Sequence, residues 1–385
     1  MSVSRLAHIT PIGVEQMGAL ADGINDPHVL RLENLDTDLR PLSSAIEVTA
    51  RALEDDAANS YLPFVGRDVM RQAAAALVGR QSGQTYDWRT DCVISAGGLA
   101  GILNVLLATL EPGDEVLLTD PIYSGLINRV RLAQGVPRFV PLIPSPQGWR
   151  LDLQSLDAVD PARVKVALVT NPSMPTGAVL TGDEWETLLG VCRKAGCWVL
   201  YNSAMERILF DGRRVIHPAS FPGMRDKVIT VGSASKEYRM IGWRVGWTVG
   251  PAAIIADVAR VALANVVTPV GIAMDGVATA IREGDADLER CVQEWQRRRD
   301  VVLDELRGFT IIPPHGGWSC LLDVSPHGMD GATSASRLLE IAKVAVTAMG
   351  NWGETRSSRY VRIVFANEPV ARLQGLGERF RHALT

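Results

Sequence analysis

The chain has 385 residues, 47% hydrophobic and 21% charged, with a net charge of −4. That composition fits a globular protein of about two domains and excludes a basic nucleic-acid-binding surface. The opening residues MSVSRLAHITPIGVEQ lack a signal-peptide layout, the apolar stretch 96–110 is too short to span a membrane, and five scattered cysteines suit reduced thiols, so a cytoplasmic, metal-free protein is expected.

Strand and helix patterns alternate along the first two thirds. DCVISAGG reads as a strand running into a Gly-rich turn, and LAGILNVLLATLE as the helix after it. DEVLLTDPIYSG is the next strand, stopped at Asp120-Pro121, and VKVALVTNPSMPTG a third. DEWETLLGVCRKAG is an amphipathic helix with acids early and bases late, the order the helix dipole favours. CWVLYNSAM, KVITVGSAS and GWRVGWTVG supply three more strands. Such alternation predicts a mostly parallel sheet covered on both faces, whose ligands collect beyond the carboxyl ends of the strands. Residues 95–98, 120–123, 171–177, 202–205 and 233–236 all fall at those ends. From about residue 253 helices dominate. LERCVQEWQRRRDVVLDELRG is a long one, and GGWSCLLDV, KVAVTAMGNWG and SRYVRIVFA follow as a smaller α+β region. There is no internal repeat.

Only five of the 39 basic residues are lysines, and one of them, Lys236, ends a strand behind Gly232, Ser233 and Ser235. A desolvated lysine near another cation has a lowered pKa and becomes a nucleophile toward carbonyls. The turn SAGGLAG at 95–101 opens a helix, where backbone amides bind phosphate and glycines admit it closely. Neither GxGxxG nor GxxxxGK[ST] occurs, so no dinucleotide or nucleoside-triphosphate site is supported. A lysine for a Schiff base, a phosphate-binding helix start, Ser233 and Arg244 as further phosphate donors, Tyr123 to cover a ring, and Arg362 to clamp a carboxylate form one set. It is the set that pyridoxal phosphate (PLP) chemistry on an α-amino acid requires.

From about Tyr61 to the C-terminus the sequence resembles the class I/II aminotransferases, the fold type I PLP enzymes. SASKEYRMIGWRVGW is similar to their S-x-S-K-x(5)-G-x-R-x-G signature, DPIYSG to D-P-x-Y-x-G, and YLPFVG to a Y-x-x-x-x-G segment. The resemblance implies an aspartate aminotransferase-like α/β fold. A mostly parallel seven-stranded sheet would sit in a large PLP-binding domain (46–274), and a smaller α+β domain would combine 1–45 with 275–385. It implies Lys236 as the Schiff-base lysine. Gly97, Gly98, Ser233 and Arg244 would hold the phosphate, Tyr123 would stack on the ring, and Arg362 and Asn171 would meet the substrate. Tyr61 would reach the phosphate of the partner site in a homodimer.

The pattern departs at the cofactor ring. The usual N-P-x-N-P-T-G is Asn171-Pro172-Ser173-Met174-Pro175-Thr176-Gly177, and the usual D-E-x-Y has Asn202 and Met205 in the places of its aspartate and tyrosine. A carboxylate beside the ring nitrogen raises its pKa by about 1–3 units, whereas Asn202 brings no charge. Ser203 and Tyr201 are the nearby substitutes, but alternate strand residues face opposite ways. The N-terminal segment LENLDTDLRP offers no confident match, and Trp318 and Trp352 are either pocket or core. Three functions stay open: ordinary amino-group transfer to a 2-oxo acid, a different PLP outcome such as elimination, replacement, cyclisation or oxidative deamination, and a non-catalytic binding protein.

Overall fold

The structure, a computed structural model, describes residues 3–385, without the side chain of Ser4. After a short strand β1 (Leu30–Arg31) and two helices come the strands of the main sheet: β2 (Cys92–Ser95), β3 (Glu115–Asp120), β4 (Val136–Ser145), β5 (Gly148–Leu151), β6 (Val164–Thr170), β7 (Trp198–Asn202), β8 (Val228–Ser233) and β9 (Gly246–Val249). Their order across the sheet is β2-β9-β8-β7-β6-β3-β4-β5. The pairs β8–β7, β7–β6, β6–β3 and β3–β4 are parallel. β9 runs antiparallel to both its neighbours, so β2 points the same way as the parallel strands. The expected seven strands are there, and an eighth arises because β4 is ten residues long and turns back into β5 as a hairpin.

The central strands β3, β6, β7 and β8 are rich in apolar, β-branched residues because nearly every position is buried. VLLT in β3, VALVT in β6 and VITVGS in β8 are apolar without alternation, as expected where helices cover both faces. The helix over Gly182–Ala195 shows how locally the connections are specified. The Thr181 side chain accepts from the Glu184 amide while Glu184 returns to the Thr181 amide, Arg193 and Lys194 close the last turn, and Gly196 caps it at φ 63°.

A second sheet holds β10 (Thr310–Ile312), β11 (Ser319–Asp323), β13 (Thr347–Ala348) and β14 (Tyr360–Val364), and β12 (Val344–Ala345) lies outside it. Its order is β10-β11-β14-β13, all antiparallel. β12 pairs in parallel with β1, Leu30 opposite Val344 and Arg31 opposite Ala345. That pairing ties the N-terminal segment to the far end of the chain, and the Val364 amide adds a bond to the Leu32 carbonyl (2.9 Å). One apolar cluster runs unbroken from Leu30 and Leu32 through Trp318 and Phe365 to Tyr201 and Met205 of the main sheet region.

Candidate active site

A cavity of about 690 Å³ opens at the carboxyl ends of the parallel strands, with the second sheet and the N-terminal segment as its other walls. Lys236, Gly98, Ser233 and Arg244 line one end of it. Tyr123, Met174, Asn202 and Met205 line the middle, and Arg362 the side toward the second sheet. The turn after β2 and the end of β8 meet here because both strands pair with β9.

The first end is a cradle of backbone. Gly97 sits at φ 90°, ψ 161° and starts the helix Gly98–Thr109, which no side chain caps, so its first amides remain free for an anion. A Cβ on Gly97 would come within 2.5 Å of Arg244 Nη2, so only glycine lets that guanidinium lie across the turn. Gly246, paired with both Ser95 and Ser233 in the sheet, is pressed as closely: its Cβ would fall 2.5 Å from the Gly97 carbonyl carbon. Arg244 itself holds φ 57° and anchors Nη1 on the Ile241 carbonyl at 2.9 Å. Ser233 Oγ donates to Ser235 Oγ (3.0 Å) and accepts the Ser235 amide (3.2 Å). Two hydroxyls, a guanidinium and a bare helix start thus face one point, which is the donor set a phosphate dianion needs.

Lys236 lies next to this cradle. Its Nζ donates to the Leu35 carbonyl at 2.6 Å and stands 5.0 Å above the Trp318 ring. Burial pushes its pKa from 10.5 down to about 8; Asp36 opposes the shift, and the charges of Arg362 and Arg244 add to it. The amine is therefore within reach of its neutral, nucleophilic form near physiological pH.

Arg362 is 1% exposed. Nη2 donates to the Glu33 carbonyl and to Thr347 Oγ1 (3.2 Å), while Nη1 finds only the Met174 sulfur, at 3.6 Å. Nε has no partner among the described residues. The Trp352 ring backs the guanidinium at 4.7 Å. Burial lowers its pKa to about 10, against the charges of Tyr123 and Glu33, so it stays a cation at neutral pH. A buried guanidinium with one edge tied and N–H groups to spare is built to receive a carboxylate.

At the middle of the cavity, Asn202 is the cross-strand partner of Thr170. Its Nδ2 donates to Thr170 Oγ1 (3.1 Å), and its Oδ1 accepts the Ala204 amide (3.3 Å). The carboxamide is thus held flat by the protein and brings no charge. Met174 and Met205 put sulfur and methylenes where hydroxyl or amide groups would form polar contacts. The Tyr123 ring lies edge-on to Trp352 with centroids 5.3 Å apart, and burial raises its phenol pKa.

Several expected residues lie elsewhere. The side chain of Asn171 is engaged in the fold: its Oδ1 accepts the Leu180 amide at 2.9 Å, and the residue is not part of the cavity wall. Tyr61 is 84% exposed and outside the cavity of its own chain. Neither neighbour of Asn202 substitutes for a ring contact. Tyr201 turns away to Glu206 Oε1 (3.0 Å) and the Asn171 carbonyl (3.3 Å), and Ser203 Oγ donates to the Val231 carbonyl (3.2 Å). Trp318 and Trp352 are fully buried behind Lys236 and Arg362, as supports beneath the site.

Sequence reasoning missed Ser235, Thr170 and Ala204, and above all the N-terminal segment. Glu33, Leu35 and Asp36 line the cavity, as do Glu15, Gly18 and Asp22 of the helix Val14–Ile24. Ser235 stood inside the quoted lysine motif and could have been assigned. The N-terminal wall left no local signal, because it is placed by pairing with residues some 310 positions away.

Comparison with known proteins gives one consistent answer. The family model "Aminotransferase class I and II" matches residues 28–380. The arginine–pyruvate transaminase of Pseudomonas aeruginosa is 33% identical over 315 residues, covering 80% of this chain and 79% of that protein. A probable N-succinyldiaminopimelate aminotransferase of Mycobacterium tuberculosis is 31% identical over 354 residues, covering 91% and 87%. Among solved structures, the N-succinyldiaminopimelate aminotransferase of M. tuberculosis superposes with a TM-score of 0.92 at 28% identity, covering 100% of this chain and 99% of that one. The aspartate aminotransferase of Thermus thermophilus with maleate gives 0.88 at 27%, covering 99% of each.

Proposed function

Because the chain belongs to the class I and II aminotransferases, we propose that its cavity binds PLP through Gly97, Gly98, Ser233, Ser235 and Arg244 and uses Lys236 to move amino groups from an α-amino acid to a 2-oxo acid. The donor set at the cradle fits a phosphate, and the neighbouring amine fits its aldehyde. Bound there, the cofactor supplies a carbonyl that condenses with amines and a ring that delocalises the electron pair left when a Cα–H bond breaks.

The chain's own groups do the rest. Arg362 holds the substrate α-carboxylate through its spare Nε and Nη1 N–H groups, which orients Cα toward Lys236. Lys236, with a pKa near 8, would take the proton from Cα as a neutral amine and, as the ammonium, would deliver it to the carbonyl-derived carbon, the transfer that amino-group exchange requires. Tyr123 covers one face of the cofactor slot, and Trp318 and Trp352 keep water from the back of both charged groups. The observation that carries this reading is the convergence of Lys236, Arg362 with its spare N–H groups, and the Gly98, Ser233 and Arg244 cradle on one cavity. Borohydride reduction of PLP-loaded protein, followed by peptide mapping, tests the first half: the cofactor mass must appear on Lys236. Amino-acid-dependent conversion of a 2-oxo acid to its amino acid tests the second half.

One observation favours a second reading. Asn202 is charge-free and tied to Thr170 and Ala204, and methionines stand at 174 and 205. This weaker support for negative charge in the ring suits a non-transaminating outcome such as elimination, replacement, cyclisation or oxidative deamination. Amino-acid consumption that does not require added 2-oxo acid would select it.

The reading extends to assembly. Residues 46–274 form the cofactor-binding domain, and 1–45 with 275–385 the smaller one. A homodimer is supported by exposed Tyr61 and Phe64, and by Val266 and Val267, which share a shallow groove with Phe64; Tyr61 then reaches the partner's cradle. No described helix is long and apolar enough to cross a membrane, and the proposed setting is the cytoplasm.

A further inference from the structure

The proposed function leaves the substrate side chain unassigned, and the charges of the cavity wall carry that step. Four cations line the cavity: Arg244 at the cradle, Lys236 at the reacting end, Arg362 at the α-carboxylate position, and Arg31. Arg31 is already consumed. Its Nη1 donates to Asp22 at 2.6 Å, its Nε and Nη2 to Glu33 Oε1 at 2.9 and 2.7 Å, and Nη2 also reaches the Gly18 carbonyl at 3.4 Å. A substrate with a second carboxylate would therefore meet no free cation among the described lining residues.

The same ion pairs set two acids, Glu33 and Asp22, against the single charge of Arg31, and they engage only one oxygen of Glu33, Oε1. Glu33 is 1% exposed, lines the cavity, and has its Oε2 without a hydrogen-bond partner among the described residues. An orphaned carboxylate oxygen at that depth costs a lost charge-assisted hydrogen bond, unless a ligand supplies the donor. Glu33 is also fixed in place, since its own carbonyl accepts from Arg362 and from Thr347 Oγ1 (2.9 Å). Glu15, on the helix above, also lines the cavity, and its charge is felt at Tyr123. Asp22 is paired with Arg31, and Asp36 faces Lys236.

We infer that Glu33 Oε2, with Glu15 at the rim, is the receptor for a cationic substrate side chain, so that the amino donor is a basic α-amino acid carrying a guanidinium or ammonium group. This rests on the proposed function, because it takes Arg362 as the α-carboxylate clamp. The backbone of Glu33 bonds the clamp and its side chain reads the distal charge, so one residue couples the two ends of the substrate.

The test compares L-arginine with L-citrulline, which keeps the length and loses the charge, alongside L-lysine, L-methionine and L-glutamate. PLP-loaded enzyme is titrated with each amino acid. The change in cofactor absorbance gives a dissociation constant independent of turnover, and kcat/KM is measured with a common 2-oxo acid. Arginine or lysine is expected to bind at least tenfold tighter than citrulline or methionine, with the preference shrinking as salt is raised. Glu33→Gln, which keeps an oxygen for Arg31, is expected to cut the charged-to-neutral ratio tenfold or more, and Glu15→Gln a few-fold. A wild-type preference for citrulline, methionine or glutamate overturns the inference and leaves the amino-transfer reading intact. So does a Glu33→Gln variant that weakens charged and neutral donors equally. If Glu33→Gln does not fold, the wild-type ratio, its salt dependence and the Glu15→Gln ratio decide. No response to any amino acid overturns the function reading and this inference with it.

Discussion

The two ends of the cavity follow different rules. At the cradle, Gly97, Gly98, Ser233 and Arg244 are the residues the family pattern demands, and Gly246 is locked against Gly97 with no room for a methyl group. Where the family pattern has an aspartate, an asparagine and a tyrosine, this chain has Asn202, Met174 and Met205, all three line the cavity, and Asn202 is held by two hydrogen bonds. The contrast separates holding a cofactor from tuning it. Gly97 and Gly246 admit no side chain, because a guanidinium and backbone lie there at contact distance. The ring environment can change its electrostatics without disturbing the fold, because those side chains only border a space.

Four measurements can break or sharpen that contrast. The largest effect is expected at the junction of the two ends: Lys236→Ala should lower amino transfer by about 10³-fold or more, the scale of a lost general acid–base group. PLP should still bind non-covalently by dialysis and absorbance, since the cradle is intact; loss of all binding would mean that the ends are not separable. Next is Arg244→Ala, which removes one charge-assisted contact. It should weaken cofactor affinity by about 10–100-fold, or ~1.5–3 kcal/mol, in a fluorescence titration.

Asn202→Asp should act in the opposite sense. By raising the ring nitrogen pKa about 1–3 units it offers up to ~1.4–4 kcal/mol of extra support for developing charge. A rate gain of about tenfold is expected, with a shifted cofactor absorbance and cofactor affinity changed less than threefold. A large affinity change would place Asn202 among the holding residues.

The smallest effect is in pH. The folded pKa of Lys236 is depressed from 10.5 to about 8, so between those values the unfolded chain binds more protons than the folded one. Apoprotein stability contributed by this group therefore rises from pH 8 to 10.5 and is absent below pH 8. Thermal melts should show that rise in the wild type and lose it in a Lys236→Met variant. Over the same range, the rate of borohydride-trappable PLP uptake should climb through pH 8 and then level off.

The cradle was legible because its parts are close in sequence or carried by strand ends that hydropathy marks. Ser233, Lys236 and Arg244 fall within twelve residues, and Gly97-Gly98 follows a strand of four buried residues. Asn171 and Met174 share a loop, and only the folded loop shows that the Asn171 oxygen is taken by the Leu180 amide. The Thr170–Asn202 bond is a matter of register between β6 and β7, which no single strand contains.

The amino-acid sequence by itself marked the alternation of strands and helices from Cys92 onward, Lys236 and the Gly97-Gly98 turn, and the uncharged Asn202 where the family pattern has an aspartate. These depend on residue type and local spacing, and short-range geometry fixes them. Only the tertiary structure decided what closes the cavity. The segment holding Glu33 and Leu35 reaches Lys236 and Arg362 because Leu30–Arg31 pairs with Val344–Ala345. A contact across more than three hundred residues is selected by the packing of the whole core, and neither partner carries a local sign of the other.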